Sequence, residues 1–135
     1  MATKTKAHIL IADDDAEDRE FIISALKNNG FQGKLDEFEN GELLSNYLDT
    51  HPGSRPDLIL LDLNMPVKNG FDTLRELKRG TEHNNIPVIV LSASTRKEDE
   101  QICAATGCDH YLSKPLDFEG YNTIARFVSN VIFHE

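Results

Sequence analysis

The chain has 135 residues, with 14 Lys and Arg against 23 Asp and Glu and a formal net charge of −9. That length suits one domain able to bury a core unaided, no apolar run nears the ~20 residues of a membrane span, and the acidic balance argues against direct nucleic-acid binding. The opening MATKTKAHILIADDD lacks the apolar core of a secretory signal, and Cys103 and Cys108 fit neither a redox nor a zinc spacing, so a cytoplasmic protein without membrane contact and with reduced thiols is expected.

Residues 1–7 read as a flexible amino terminus and 8–135 as one domain. Residues 8–12 (HILIA) are the first apolar run and end in Asp13, Asp14 and Asp15. Over 16–29, Phe21, Ile22, Ala25 and Leu26 share a helical stripe, with Asn29 and Gly30 as its stop. Asp15 suits the helix cap, and Glu17 and Asp18 suit the positive end of its dipole. Asp13 and Asp14 precede the cap and have no such structural use. A weak strand is placed at 35–38, followed by a helix over 42–50 with Leu43, Leu44, Tyr47 and Leu48 on one stripe.

The segment PDLILLDLNMPVKNG, residues 56–70, organises the rest. Leu58 to Leu61 run unbroken into Asp62, and Pro66, Asn69 and Gly70 follow. An apolar run bounded by turn residues predicts a strand buried on both faces. Asp62 then stands at its carboxyl end, the edge of an open α/β sheet where ligands bind. Phe71, Leu74 and Leu77 predict a helix ending near Arg79 and Gly80, and PVIVL at 87–91 predicts a second doubly buried strand, ending in Ser92, Ala93 and Ser94. The helix over 97–106 has only Ile102, Cys103 and Ala105 as apolar anchors, so it is the helix most able to shift. A short, half-polar edge strand at 110–113 delivers Lys114 and Pro115. Asp117 caps a last helix over 118–133, with Tyr121, Ile124, Phe127, Val128 and Val131 at helical spacing. Five strand–helix pairs with short connections predict an α/β fold, a parallel sheet with helices on both faces.

Four strands therefore deliver polar groups as they end: Asp13 and Asp14, then Asp62, Ser92 and Lys114. Three carboxylates within about 4 to 6 Å would repel by several kcal/mol at an effective dielectric near 20. Lys114 offers one positive charge, and Mg²⁺ suits carboxylates, retained waters and a phosphoryl oxygen. A cation, a lysine and a hydroxyl around one carboxylate are the parts of phosphoryl transfer, with Asp62 as nucleophile.

These residues carry a resemblance to the response-regulator receiver domains of two-component signalling, of the single-domain type. It runs from about His8 to Phe133 through ADDD, PDLILLDLNMPVKNG, VIVLSAS and YLSKP. The resemblance implies a five-stranded parallel sheet of order 2-1-3-4-5. It also implies that Asp62 accepts a phosphoryl group from a histidine kinase or histidine phosphotransfer protein, followed by slow autodephosphorylation, with no separate substrate turned over. By the same resemblance Mg²⁺ is held by Asp14 and Asp62, by Asp13 through water, and by the backbone carbonyl of Asn64. Lys114 pairs with the phosphoryl oxygens while Ser92 swings in to bond one. Tyr111 moves inward with Ser92 and reshapes the surface of the fourth helix, fifth strand and fifth helix. The Lys114–Pro115 peptide is expected to be cis, and the side chains of Asn64 and Ser94 to tune the hydrolysis rate. With no effector domain expected in the chain, its output is a contact with a separate protein, with a second copy, or with the next carrier of a phosphorelay. HPGSRPDLILLDLNMP and IPVIVLSAS resemble the branch served by phytochrome kinases.

Two other classes share parts of this pattern. Phosphatases of the haloacid dehalogenase type also combine a strand-end Asp, Mg²⁺, a hydroxyl and a lysine, but they need a second Asp where this chain has Asn64, and carry their acidic pair late. A receiver-like module that binds partners without phosphorylation usually lacks site residues, all of which are present here.

Overall fold

The computed structural model of the protein describes residues 7–133. Along them alternate β1 (His8–Ala12), α1 (Ala16–Asn28), β2 (Lys34–Phe38), α2 (Gly41–Thr50), β3 (Leu58–Leu61), α3 (Gly70–Arg79), β4 (Val88–Ser92), α4 (Lys97–Thr106), β5 (His110–Ser113) and α5 (Phe118–Phe133). The flexible segment expected over 1–7 lies outside the described residues except for Ala7, which is buried and whose carbonyl accepts the Lys34 N–H at 2.8 Å. All strand pairs are parallel, in the order β2-β1-β3-β4-β5 that the resemblance implies.

Side chains alternate across the sheet, so each strand feeds two cores. Ile9, Ile11, Leu58, Leu60 and Ile89 pack on one face against Ile22 and Leu26 of α1 and Ile124 and Val128 of α5. Leu10, Ile59, Leu61 and Val90 pack on the other against Leu44, Leu74, Leu77 and Cys103 from the remaining helices. Coverage of both faces explains why β3 and β4 show no polar alternation: every residue of each is buried.

Capping sets the helix starts. Asp15 accepts the Glu17 N–H at 2.9 Å, as its position predicts. Asn40 and Asn69 cap α2 and α3 through the N–H groups of Leu43 and Asp72, both at 2.9 Å, so those helices begin one residue earlier than their apolar stripes suggest. Asp117 accepts the Gly120 N–H at 2.9 Å in the first turn of α5.

Three expectations need correction. Helix α4 buries only Cys103; Ile102 is 46 % exposed and Ala105 is exposed, because the helix flanks β5, an edge strand with no fully buried residue to pack on. Phe21 and Leu43 are exposed, and Phe21 meets Phe118 and Tyr121 of α5 at ring-centroid distances of 6.2 and 5.5 Å instead of the sheet. No peptide bond among the described residues is cis, so Lys114–Pro115 is trans, the form that an X–Pro bond prefers by roughly 0.5–1 kcal/mol.

Candidate functional site

Strands β1 and β3 are neighbours, and the Asp62 N–H donates to the Ala12 carbonyl at 2.9 Å. The residues following both strands therefore emerge side by side. Carboxylate oxygens of Asp13, Asp14 and Asp62 lie within 4.8 Å of one another. Asp13 and Asp62 are buried while Asp14 is exposed. From the other side, the Lys114 N–H donates to the Ser92 carbonyl at 2.8 Å, which fixes the lysine backbone at the same edge. Its Nζ stands 2.9 Å from Asp13 Oδ2 and 3.3 Å from Asp62 Oδ2.

A fourth carboxylate joins them. Asp18 Oδ2 lies 2.8 Å from Lys114 Nζ, the shortest of the three contacts. The helix-dipole reading accounts for an acid at this position and so hid the second role. The available signal was spacing: three residues beyond its cap, the first turn of α1 brings Asp18 back over the strand end that carries Asp13.

Backbone groups complete the frame. Asp62 Oδ1 accepts the Leu63 N–H at 2.8 Å, and Asp13 Oδ1 accepts the Asp15 N–H at 2.9 Å. Arg19 donates to the Asp13 carbonyl and, through Nε, to Glu37 Oε1 at 2.9 Å, which ties α1 to β1 and β2. The loop after Asp62 folds back so closely that a Cβ on Gly70 would fall 2.1 Å from the Asp62 carbonyl oxygen. Only glycine fits there. Within that loop Val67 adopts φ +67°, closed by a 2.7 Å bond from the Lys68 N–H to the Pro66 carbonyl. A β-branched residue there costs on the order of 1–3 kcal/mol. The far side of the loop is held by the Gly41 N–H on the Lys68 carbonyl at 3.0 Å, and by Lys68 Nζ on Ser45 and Glu76.

Burial pushes the Asp62 carboxyl up to about 6, and the neighbouring Asp13 charge adds to this, against the opposing pull of Lys114 and the Leu63 N–H. Asp13 is raised by burial as well. Burial alone would lower Lys114, but its bonds to Asp18 and Asp13 and the charges of Asp13 and Asp62 carry it above the ordinary lysine range. Asp13, Asp14, Asp18 and Asp62 together outnumber the one ammonium and leave an excess of negative charge. The oxygen-only donor set of Asp13, Asp14 and Asp62 fits a hard divalent cation.

The remaining predicted residues lie on or just after the neighbouring strands: Ser92 ends β4, Tyr111 is on β5 and Asn64 follows β3. Ser92 is fully buried, and its Oγ accepts the Ser94 N–H at 3.1 Å. Tyr111 is half-buried and donates from its hydroxyl to the Ser94 carbonyl at 3.2 Å. Ser94 in turn donates to Asp99 in the first turn of α4, so a polar chain links β5, the end of β4 and α4. Asn64 is exposed two residues beyond Asp62. Beside Lys114 opens a cleft of about 180 Å³ lined by Asp18, Phe21, Leu116, Phe118 and Tyr121.

A five-stranded parallel sheet of this order, with buried aspartates and a lysine meeting where the strand order reverses, has the architecture of a phosphoacceptor switch. The family model for the response regulator receiver domain matches residues 9–125, and the chain belongs to that family. A probable methanogenesis regulatory protein, FilR2 of Methanothrix harundinacea, is 34% identical over 114 residues, covering 82% of this chain and 74% of that protein. Curated transcriptional regulators that the chain also matches are longer, and it spans 45% of their length. Among solved structures, the phosphorylated cyanobacterial phytochrome response regulator RcpA superposes with a TM-score of 0.87 at 29% identity, covering 94% of each chain. The Mn²⁺-bound form of the response regulator Rcp1 gives 0.84 at 26% identity over 95% of each. As a receiver, the chain is a phosphoacceptor module of two-component signalling. Among the described residues no helix is long and apolar enough to cross a membrane.

Proposed function

We propose that Asp62 is the phosphoacceptor and that the protein takes its phosphoryl group from a histidine kinase or a histidine phosphotransfer protein. The observation that carries this reading is the fixed pairing of Asp62: Oδ1 on the Leu63 N–H and Oδ2 3.3 Å from Lys114 Nζ, at the carboxyl edge of a buried strand. One carboxylate oxygen bonds to phosphorus while the phosphorus bond to the donor's imidazole nitrogen breaks, and the electron pair leaves with that nitrogen. Lys114 opposes the charge on the transferred oxygens. An Asp62 that titrates near 6 is still largely ionised at neutral pH, as a nucleophile must be. Asp13, Asp14, Asp62 and the backbone carbonyl of Asn64 would hold Mg²⁺, which when bound supplies Lewis-acid charge to the phosphoryl oxygens. The Mn²⁺ carried by Rcp1 supports a divalent cation here. The cleft beside Lys114 gives a donor an apolar surface to bear on.

Ser92 and Tyr111 form the switch in this reading. The polar chain from Tyr111 through Ser94 to Asp99 supports it, because a shift of Ser92 reaches α4 along it. The α4-β5-α5 face then binds a downstream protein or a second copy of the chain. Residues 8–135 act as one receiver unit, in the cytoplasm, with neither nucleic acid nor membrane as a direct partner. Incubation with acetyl phosphate and Mg²⁺ should add one phosphoryl group to the wild type, seen by intact-protein mass, and none to Asp62→Asn. Labelling of that variant at the wild-type level would assign the wrong acceptor.

A further inference from the structure

We propose that Asp18 is a positioning residue that occupies, in the resting protein, the hydrogen-bond donor of Lys114 that a phosphoryl oxygen takes on phosphorylation. The inference rests on the receiver reading and deepens it. An ammonium has three N–H donors, and three carboxylates surround this one: Asp18 at 2.8 Å, Asp13 at 2.9 Å and Asp62 at 3.3 Å. No donor is spare. A phosphoryl group arriving at Asp62 must compete with them for the lysine.

The three differ in how easily they leave. Asp13 is 8 % exposed in its side chain and anchored by the Asp15 N–H at 2.9 Å, within the trio of carboxylates that fits a cation. Asp62 carries the phosphoryl group and cannot withdraw. Asp18 is 25 % exposed in its side chain, sits in the first turn of α1, and borders the cleft beside Lys114. Rotation of its side chain returns it to water, where solvation replaces the lysine. Desolvation disfavours the release of either buried acid, so the exchange falls to Asp18.

Two effects follow from this exchange. The resting ion pair holds Lys114 over the acceptor before any donor arrives, which pre-orders the site. It also sets the resting carboxylate in competition with the incoming anion, both by occupying the donor and by like-charge repulsion. Asp18 thereby lowers the affinity of the site for a phosphoryl group and shifts the balance toward the unphosphorylated state.

The test is binding of beryllofluoride, an analogue of the phosphoryl group, at saturating Mg²⁺ by titration calorimetry, with thermal unfolding confirming that each variant is folded. Asp18→Asn and Asp18→Ala should both bind about five- to tenfold more tightly than wild type, on the scale of one like charge removed from a partly buried site. Asp18→Glu, which restores the charge, should return to within about twofold of wild type, an outcome that a merely structural role for the side chain does not produce. In the wild type the backbone amide signals of Asp18 and Arg19 should also shift on adding the analogue. Unchanged or weaker binding by both neutral variants, with wild type binding and Asp62→Asn not binding, would overturn the role of Asp18 alone. Binding that persists in Asp62→Asn, or is absent from wild type, would overturn the receiver reading and this inference with it.

Discussion

Helices α1 and α4 both follow a strand that delivers a functional side chain, yet they are held in opposite ways. Helix α1 is capped by Asp15, buries Ile22, Ala25 and Leu26 on the sheet, and is tied by Arg19 to the Asp13 carbonyl and to Glu37. Helix α4 starts at Arg96 with no side-chain cap bond and buries Cys103 alone. Its carboxyl end is nonetheless well fixed. Gly107 at φ +115° closes a left-handed cap, with the Cys108 N–H on the Cys103 carbonyl at 3.0 Å and the Gly107 N–H on the Ala104 carbonyl at 3.2 Å. So α4 is closed by a full cap at its far end, while the end nearest Ser92 has no cap bond from Arg96 and is held through Ser94, which donates to Asp99 and accepts the Arg96 N–H. The two helices divide the labour: a rigid half holds charges that repel one another, and a less firmly packed half can respond when those charges change.

The largest effect that separates the two halves is on stability. Leu26 is fully buried under α1, and Leu26→Ala should cost about 3 kcal/mol, the usual scale for a deleted core leucine with the cavity it leaves. Ile102→Ala, at a position 46 % exposed on α4, should cost under about 0.5 kcal/mol. Urea unfolding of the two variants measures both. Equal costs would mean that α4 is as firmly packed as α1.

A smaller effect comes from pH, which acts on the charges that the rigid half confines. Asp62 titrates near 6 in the folded protein against an ordinary 3.8, so the folded state binds this proton more tightly than the unfolded chain. That contribution to stability is fully present below about pH 3.8 and is lost as pH rises through about 6, up to roughly 2–3 kcal/mol. Asp13 shifts in the same direction. Other carboxylates impose slopes of their own, Glu76 with the opposite sign because Lys68 and Ser45 hold it low. The clean measurement is therefore a difference. In metal-free protein Asp62→Asn should match wild type near pH 4 and exceed it by about 2 kcal/mol at pH 7. Added Mg²⁺ should narrow that gap by stabilising the wild type. A gap that stays constant with pH would mean the buried carboxylate is neutralised in some other way.

The same contrast explains what could be read from the sequence. Doubly buried strands announce themselves, since LILL and VIVL have no polar member and only a sheet covered on both sides accommodates that. Asp13, Asp62 and Ser92 were legible because each stands directly after, or at the end of, an apolar run, and Lys114 because it follows the half-polar edge strand β5; topology brings these strand ends together. Asp18 was not, because its contact with Lys114 spans 96 positions and its local role at a helix start already explained it. The exposure of Ile102 was equally hidden. Periodicity says which residues share a face of α4, but the depth at which that face sits depends on what the edge strand β5 offers it.

The finest test of the comparison adds to α4 what α1 already has. Arg96 stands at the cap position with φ −75° and ψ 127°, an extended conformation in which a serine would place its oxygen toward the N–H groups of Glu98 and Asp99. Arg96→Ser should stabilise the helix by about 0.5–1 kcal/mol, slowing hydrogen exchange of first-turn amides such as Asp99 and Glu100 by about two- to fivefold. Serine is a better choice here than aspartate, because Glu98, Asp99 and Glu100 already crowd the first turn with negative charge. If the loose end of α4 is what responds to phosphorylation, tightening it should leave labelling by acetyl phosphate unchanged. The same change should reduce the shift of the Tyr111 signals on phosphorylation, because the stiffer helix resists the movement. A variant with slower exchange and an undiminished Tyr111 response would show that the signal leaves the site by a route that does not require α4 to yield.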